Sequence, residues 1–220
     1  MKLDPCHLIV FAKAPIPGQV KTRLIPPLGP LGAAKLYERL MLHTLAIAVN
    51  SKIGPVDLWC SPSTEHPFFI HCAEEFHVEL FLQPAGDLGH QMAYAFQRTL
   101  KATPCALLIG TDCPSLTQED LREALSRLQQ GYNAVISPTE DGGYALMGLH
   151  HLSPVFFEGI SWGTEVVLDQ TRQRLHDLGW RWYELPKRWD VDRPEDVERL
   201  LSEGVEEPSS YLPPSFRFTF

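Results

Sequence analysis

The sequence lacks any apolar run approaching the roughly 18 residues that a membrane-spanning helix needs. It also lacks a cationic segment leading into a short apolar one, the pattern that directs secretion. Positive charge is scarce: 19 lysines and arginines stand against 27 acidic residues, for a formal net charge of −8. That balance excludes a general nucleic-acid or anionic-membrane surface, so any anion must be met by a local group of cations. The five cysteines (Cys6, Cys60, Cys72, Cys105 and Cys113) are scattered and odd in number. With no CxxC and no Cys/His metal spacing, they point to reduced thiols. Neither the GxxxxGKS/T phosphate loop nor the GxGxxG fingerprint is present, and the nine histidines form neither HExxH nor a Ser/His/Asp order. The expectation is a soluble, cytoplasmic protein with neither nucleic acid nor membrane as partner.

At 220 residues, 44% of them hydrophobic, the chain fits one globular domain with a small appendage. HLIVFA reads as a first strand and the stretch Leu31 to Asn50 as a five-turn helix. PVDLWC, HVELFLQ, CALLIG and WRWYEL read as further strands. Helices are expected in HPFFIHCAEEF, in GDLGHQMAYAFQRTL with Asp87 as cap, in QEDLREALSRLQQ with Thr117 as cap, in TEVVLDQTRQRLHDLG and in PEDVERLLSE. YNAVISP and YALMGL flank TEDGG and suggest a hairpin. This order predicts an α/β fold, a doubly wound, mostly parallel sheet flanked by helices, with the hairpin making a mixed edge. Residues 1–207 form the expected domain. Residues 208–220 form a proline- and aromatic-rich tail in which Phe216, Phe218 and Phe220 alternate, as in an edge strand that docks on this chain or joins a homodimer.

In such sheets ligands sit outside the carboxyl ends of the strands, so the segments after the strands carry the chemistry. FAKAPIPGQVKTRL gathers Lys13, Lys21 and Arg23 after the first strand. Lysine meets a phosphate as a point charge and arginine as a planar fork, while Gly18 lets the backbone approach. The same cations also suit a solvated surface. Asp112, in GTDCP, is released from an all-apolar strand at the rim, where an idle charge is costly. It either holds one edge of Mg2+ (or Mn2+) or caps the following turn. Asp190 and Asp192 are two apart and share a direction in extended chain; Asp192 suits the N-cap of the last helix, which leaves Asp190 as the second metal ligand. In TEDGGY, Asp141 either stands in a simple turn or accepts a hydroxyl proton, with Gly142 and Gly143 clearing room for a sugar or acceptor and Tyr144 beside them. Trp162 and Thr164, in ISWGTE, offer an aromatic wall or a core contact.

FAKAPIPGQVKTRL, QPAGDLG, LIGTDCPSL, DGGYALMGL, ISWGTE and WDVDRPEDV, in that order, resemble the GT-A-fold nucleotide-diphospho-sugar transferase superfamily. More closely, they resemble a bacterial group of GT-A-like glycosyltransferases, some linked to arsenosugar or selenium-related pathways. The resemblance runs to about residue 203 and extends to guanylyltransferases acting on 2-phospho-lactate and on the molybdenum cofactor. It implies a Rossmann-like GT-A fold and a nucleotide or nucleotide-sugar substrate with a small-molecule acceptor. It further implies that Lys13, Lys21 and Arg23 face the phosphates with Ala12 and Thr111 nearby, that Gln83 and Gly86 lie near the nucleobase, and that Asp112 and Asp190 flank magnesium. After GDLG, His90 and Gln91 stand where relatives carry an acidic residue and an arginine. Glycosyl transfer from a nucleotide sugar, nucleotidyl transfer from a triphosphate, and nucleotide binding without turnover remain open.

Overall fold

A computed structural model describes residues 6–202. The tail with Phe216, Phe218 and Phe220 lies outside them, so the expected edge strand or dimer contact does too. Seven strands form one sheet: β1 (His7–Lys13), β2 (Val56–Ser61), β3 (Glu79–Leu82), β4 (Ala106–Gly110), β5 (Ala134–Pro138), β6 (Tyr144–Leu149) and β7 (Trp182–Glu184). The helices are α1 (Ile25–Ser51), α2 (Pro67–Phe76), α3 (Leu88–Thr99), α4 (Gln118–Gln129), α5 (Val167–Asp177) and α6 (Pro194–Ser202). Strand order is β3-β2-β1-β4-β6-β5-β7, and β6 alone runs against its two neighbours.

Alternation along the strands divides the core between two faces. In β1, Leu8, Val10 and Ala12 turn to one side with Met41, Leu42 and Leu45 of α1, Phe69 of α2 and Leu125 of α4. Ile9 and Phe11 turn to the other, with Phe96 of α3 and Leu175 of α5. This is the expected doubly wound fold. The hairpin, however, does not make a mixed edge: β6 returns between β4 and β5, inside the sheet. Its sequence explains why, since Leu146 serves one core and Met147 the other, and an edge strand would leave part of that surface wet. Gly148 permits the insertion, because a Cβ there would stand 2.6 Å from the Leu107 side chain of β4.

Capping follows the sequence at two helices. Asp87 accepts from the His90 amide, and Thr117 and Asp120 form a reciprocal capping box. α1 begins six residues earlier than its apolar periodicity implies. Prolines suit a first helical turn, and Gly29 at φ 69° absorbs the kink before Pro30.

Two connections and a later crossing segment meet at the carboxyl rim of the sheet. β1 pairs with β2 on one side and β4 on the other. The chain moves from β1 toward β2 but from β4 away from it, so the strand order reverses between them at the switch point of the sheet, with α1 and α4 packed on the same face. The segment before α6 then crosses this rim: Val191 donates to the Asp112 carbonyl (2.8 Å), and the Ser115 hydroxyl bonds both the amide and the carbonyl of Trp189 (2.9 Å each). Trp189 and Val191 are buried against Leu24, Ala33 and Leu40, which fixes the crossing segment to α1.

Candidate active site at the sheet switch point

The all-apolar run of β4 ends at Gly110, and the next two residues divide inward from outward. Thr111 is buried, whereas the Asp112 side chain is 53% exposed at the rim. Lys21 reaches Asp112 from the loop after β1. Its backbone is left-handed (φ 47°), and its side chain, only 6% exposed, places Nζ 2.5 Å from Asp112 Oδ1 and 2.5 Å from the Val191 carbonyl. Asp112 therefore anchors an ion pair rather than capping its turn. Arg23 pairs with the Asp192 carboxylate at the cleft mouth. Among the described residues Lys13, which is exposed, is the one of the three loop cations without a carboxylate partner.

Asp190 sits beside this pair. Burial is the largest influence on its carboxyl, followed by the nearby negative charge of Asp141; Lys21 pulls the other way and Asp112 adds repulsion, leaving the group pushed up to about 6. Three carboxylates, Asp112, Asp141 and Asp190, thus share the field of one ammonium. Asp141 Oδ1 accepts from the Thr139 hydroxyl (2.5 Å) and the Gly143 amide (3.1 Å), which holds the turn and leaves Oδ2 for other work. Asp192 is not the N-cap of α6. The helix starts at Pro194, Asp196 reaches back to take the amides of Asp192 and Arg193 (2.9 and 2.6 Å), and the Asp192 side chain pairs with Arg23.

The remaining expected site residues divide. Gln83 is at the rim, with its carboxamide nitrogen donating to the carbonyls of Trp59 (2.7 Å) and Ala12 (3.2 Å), so its oxygen is the free end. Gly18 (φ 85°) is open around its Cα, and Gly86 (φ 128°) packs against the His90 ring. Gln91 donates to the Pro84 carbonyl (3.1 Å), so this departure from the relatives' pattern braces the loop it follows. Gly142 does not clear room for a sugar: a Cβ there would lie 2.1 Å from the Glu165 carbonyl oxygen, so the protein's own backbone fills the space. A Cβ on Gly143 would meet Thr139 and Asp141. Tyr144 does not face an acceptor, because its hydroxyl is buried near Thr171. Trp162 packs against Gly89 and Phe157, and the exposed Thr164 donates to Ser161.

Among the described residues no three His, Cys, Asp or Glu side chains are grouped to hold a metal on their own. A cleft of about 440 Å³, lined by His7, Asp57 and Arg98 among others, opens at the opposite, amino ends of the strands. Convergent charge at the switch point, rather than volume, locates the candidate site. Among the described residues no helix is long and apolar enough to cross a membrane.

Residues 44–164, more than half the chain, match the family described as "Uncharacterized protein conserved in bacteria (DUF2064)". The chain belongs to that family. The matched stretch takes in Asp112 and Asp141 but neither the loop cations nor Asp190. No curated protein matches the chain. Among solved structures, a Desulfovibrio desulfuricans G20 protein provisionally described as a nucleotide-diphospho-sugar transferase is 27% identical, with 94% of this chain and 90% of that chain covered and a TM-score of 0.84. The 4-diphosphocytidyl-2C-methyl-D-erythritol synthase of Anaerococcus prevotii DSM 20548 shares the fold at 11% identity, 90% and 96% coverage and a TM-score of 0.59. So does glucosyl-3-phosphoglycerate synthase of Mycobacterium tuberculosis, solved with Mn2+, UDP and glucosyl-3-phosphoglycerate, at 13% identity, 96% and 82% coverage and a TM-score of 0.56. The fold is that of the nucleotide-sugar and nucleotidyl transferases. Tyr37 and the Val191 carbonyl went unnoticed in the sequence. A tyrosine inside a helical apolar pattern carries no mark of a polar duty, and a backbone carbonyl carries none at all.

Proposed function

We propose that the protein is a transferase moving a glycosyl group from a nucleotide-diphospho-sugar to a small-molecule acceptor, within a single domain of residues 1–207. One observation carries this reading: the excess of carboxylate at the switch point. With all three ionised, Asp112, Asp141 and Asp190 set against Lys21 leave a surplus of two negative charges, and burial first, then the charge of Asp141, raises the Asp190 carboxyl. A divalent cation, Mg2+ or Mn2+, fits that surplus. Asp112 and Asp190 would hold it with water and phosphate oxygens completing its shell, and when bound it supplies positive charge to a departing diphosphate. The kinship with the Desulfovibrio protein and the Mn2+ and UDP bound to the mycobacterial synthase support the choice of substrate class and metal.

Lys13, exposed at the end of β1, meets the diphosphate. Lys21 holds Asp112 in place, and the Gln83 oxygen accepts a hydrogen bond from the base. The acceptor hydroxyl oxygen bonds to the anomeric carbon as the bond from that carbon to the phosphate oxygen breaks. Asp141 Oδ2 takes the proton, and the electron pair leaves with the nucleoside diphosphate. Nucleotidyl transfer from a triphosphate uses the same scaffold; the pairing of the little-exposed Lys21 with Asp112 leaves Lys13, and Arg23 once released from its exposed pair with Asp192, to meet phosphate oxygens, which suits a diphosphate. The test is a thermal-shift panel of nucleoside diphosphate sugars and triphosphates, each with and without magnesium. Metal-dependent stabilisation by a diphosphate sugar, abolished in Asp112→Ala, is expected. Stabilisation by triphosphates alone, or an Asp112→Ala protein that behaves as wild type, would overturn the reading.

A further inference from the structure

Every other strand amide of β1 points to the same neighbour. The Ala14 amide donates to the Ser61 carbonyl on the β2 side (2.7 Å), so the Lys13 amide is directed to the β4 side. There β4 has already ended, its last partner in register being Gly110 opposite Phe11. An amide at this gap would be an orphan donor just beneath the switch point. Tyr37, from the middle of α1 and only 4% exposed, fills the gap: its phenolic oxygen accepts from the Lys13 amide at 2.8 Å. The same hydroxyl is 2.9 Å from Thr111 Oγ1, and the Tyr37 ring lies 6.0 Å from the Lys21 ammonium, within reach of a cation–π contact. One side chain therefore touches the start of the cationic loop, the lysine that holds Asp112, and the residue immediately before Asp112.

We propose that Tyr37 is a positioning residue for this site, setting the two loops that leave β1 and β4 so that Lys13, Lys21 and Asp112 open onto one cleft; the functional part of this inference rests on the transferase reading above. Core packing alone does not account for a tyrosine here, since a phenylalanine would fill the same volume and bring no hydroxyl to bury. Burial and the neighbouring Asp112 carboxylate push the phenol up from its ordinary range, so Tyr37 remains a neutral donor and acceptor rather than a base. With the Lys13 amide as donor to the phenolic oxygen, one of the two hydroxyls of Tyr37 and Thr111 donates to the other in a buried chain that links the two loops.

The test uses Tyr37→Phe, which keeps the ring and the volume, alongside Thr111→Val and the double variant. Hydrogen exchange on the ligand-free proteins reads the loops directly, and calorimetry with magnesium pyrophosphate reads the site without requiring knowledge of the base or sugar. In Tyr37→Phe, exchange at the Lys13 amide and through the segment 13–24 is expected to rise about tenfold while the remainder of the sheet is unchanged, with pyrophosphate affinity falling about three- to tenfold. Because both hydroxyls belong to one chain, the double variant should lose little more than either single one. Unaltered exchange at Lys13, or affinity losses that simply add, would overturn the assignment. If the wild-type protein binds neither magnesium pyrophosphate nor nucleotides, the transferase reading falls, and the exchange data still decide whether Tyr37 orders the two loops.

Discussion

Replacing Asp190 with asparagine should make the ligand-free protein more stable while removing its response to metal. The folded-state carboxyl is pushed from 3.8 to about 6. A raised acid of this kind adds stability below the unfolded value, where it is protonated in both states, and loses it as the pH climbs through the folded value. A shift of about two units corresponds to about 3 kcal/mol for a group screened from water. Asp190 is only partly buried, so solvent screening cuts this to about 1–2 kcal/mol at pH 8. For a domain of this size that is a rise in Tm of roughly 2 to 8 °C for Asp190→Asn. The gap should close toward pH 4, where wild type and variant are both nearly neutral at this position. Scanning calorimetry across pH 4 to 8, repeated with excess magnesium chloride, provides the assay, and magnesium should raise the wild-type Tm and leave the variant unmoved. A variant less stable than wild type at pH 8, or a difference that ignores pH, would refute the crowding of Asp190 by Asp141 and Asp112.

Three other perturbations probe separate parts of the structure. Lys21→Met leaves Asp112, Asp141 and Asp190 without their ammonium and should cost about 1–3 kcal/mol at pH 8, part of which excess magnesium restores in thermal melts. Gly142→Ala forces a Cβ to 2.1 Å from the Glu165 carbonyl at a backbone φ of 88°, and urea denaturation should show a loss of about 2–3 kcal/mol. Arg188→Met strips the buried Asp120 carboxylate of its 2.6 Å partner and should cost about 3 kcal/mol, much of it recovered by adding Asp120→Asn.

The sequence was most legible where local rules act alone. The β1 and β4 runs, the Asp87 and Thr117 caps and the hairpin at Asp141 and Gly142 follow from periodicity and capping chemistry, and each appears in the structure. It was least legible where the outcome depends on distant chain. That β6 lies inside the sheet is a matter of strand order, to which its own alternation is indifferent. Lys21 and Arg23 look like phosphate ligands in their loop, and only the return of the chain 170 and 169 residues later supplies the Val191 carbonyl and Asp192 that engage them. Asp192 likewise looks like a helix cap. It stands one residue too early, because the helix starts at Pro194 and Arg193 holds the cap position, and Asp196 reaches back from the first turn to take the amides of Asp192 and Arg193.

The pairing of Arg23 with Asp192 bears on how the cleft accepts an anion. The two side chains are 67% and 39% exposed, so their attachment is worth about 0.2–1 kcal/mol in water. A diphosphate offers the guanidinium two oxygens at once and more charge than one carboxylate, so Arg23 can change partners at little cost. If it does, Asp192 is a competitor, and Asp192→Asn should raise magnesium pyrophosphate affinity about 1.5- to 5-fold by releasing the arginine beforehand. The gain should shrink as sodium chloride is raised, because salt weakens the exposed pair in the wild-type protein first. Arg23→Gln should lose affinity and make a further Asp192→Asn change silent. Equal affinities for wild type and Asp192→Asn at low salt would mean that Arg23 stays on the surface and that Lys13 meets the phosphates without it.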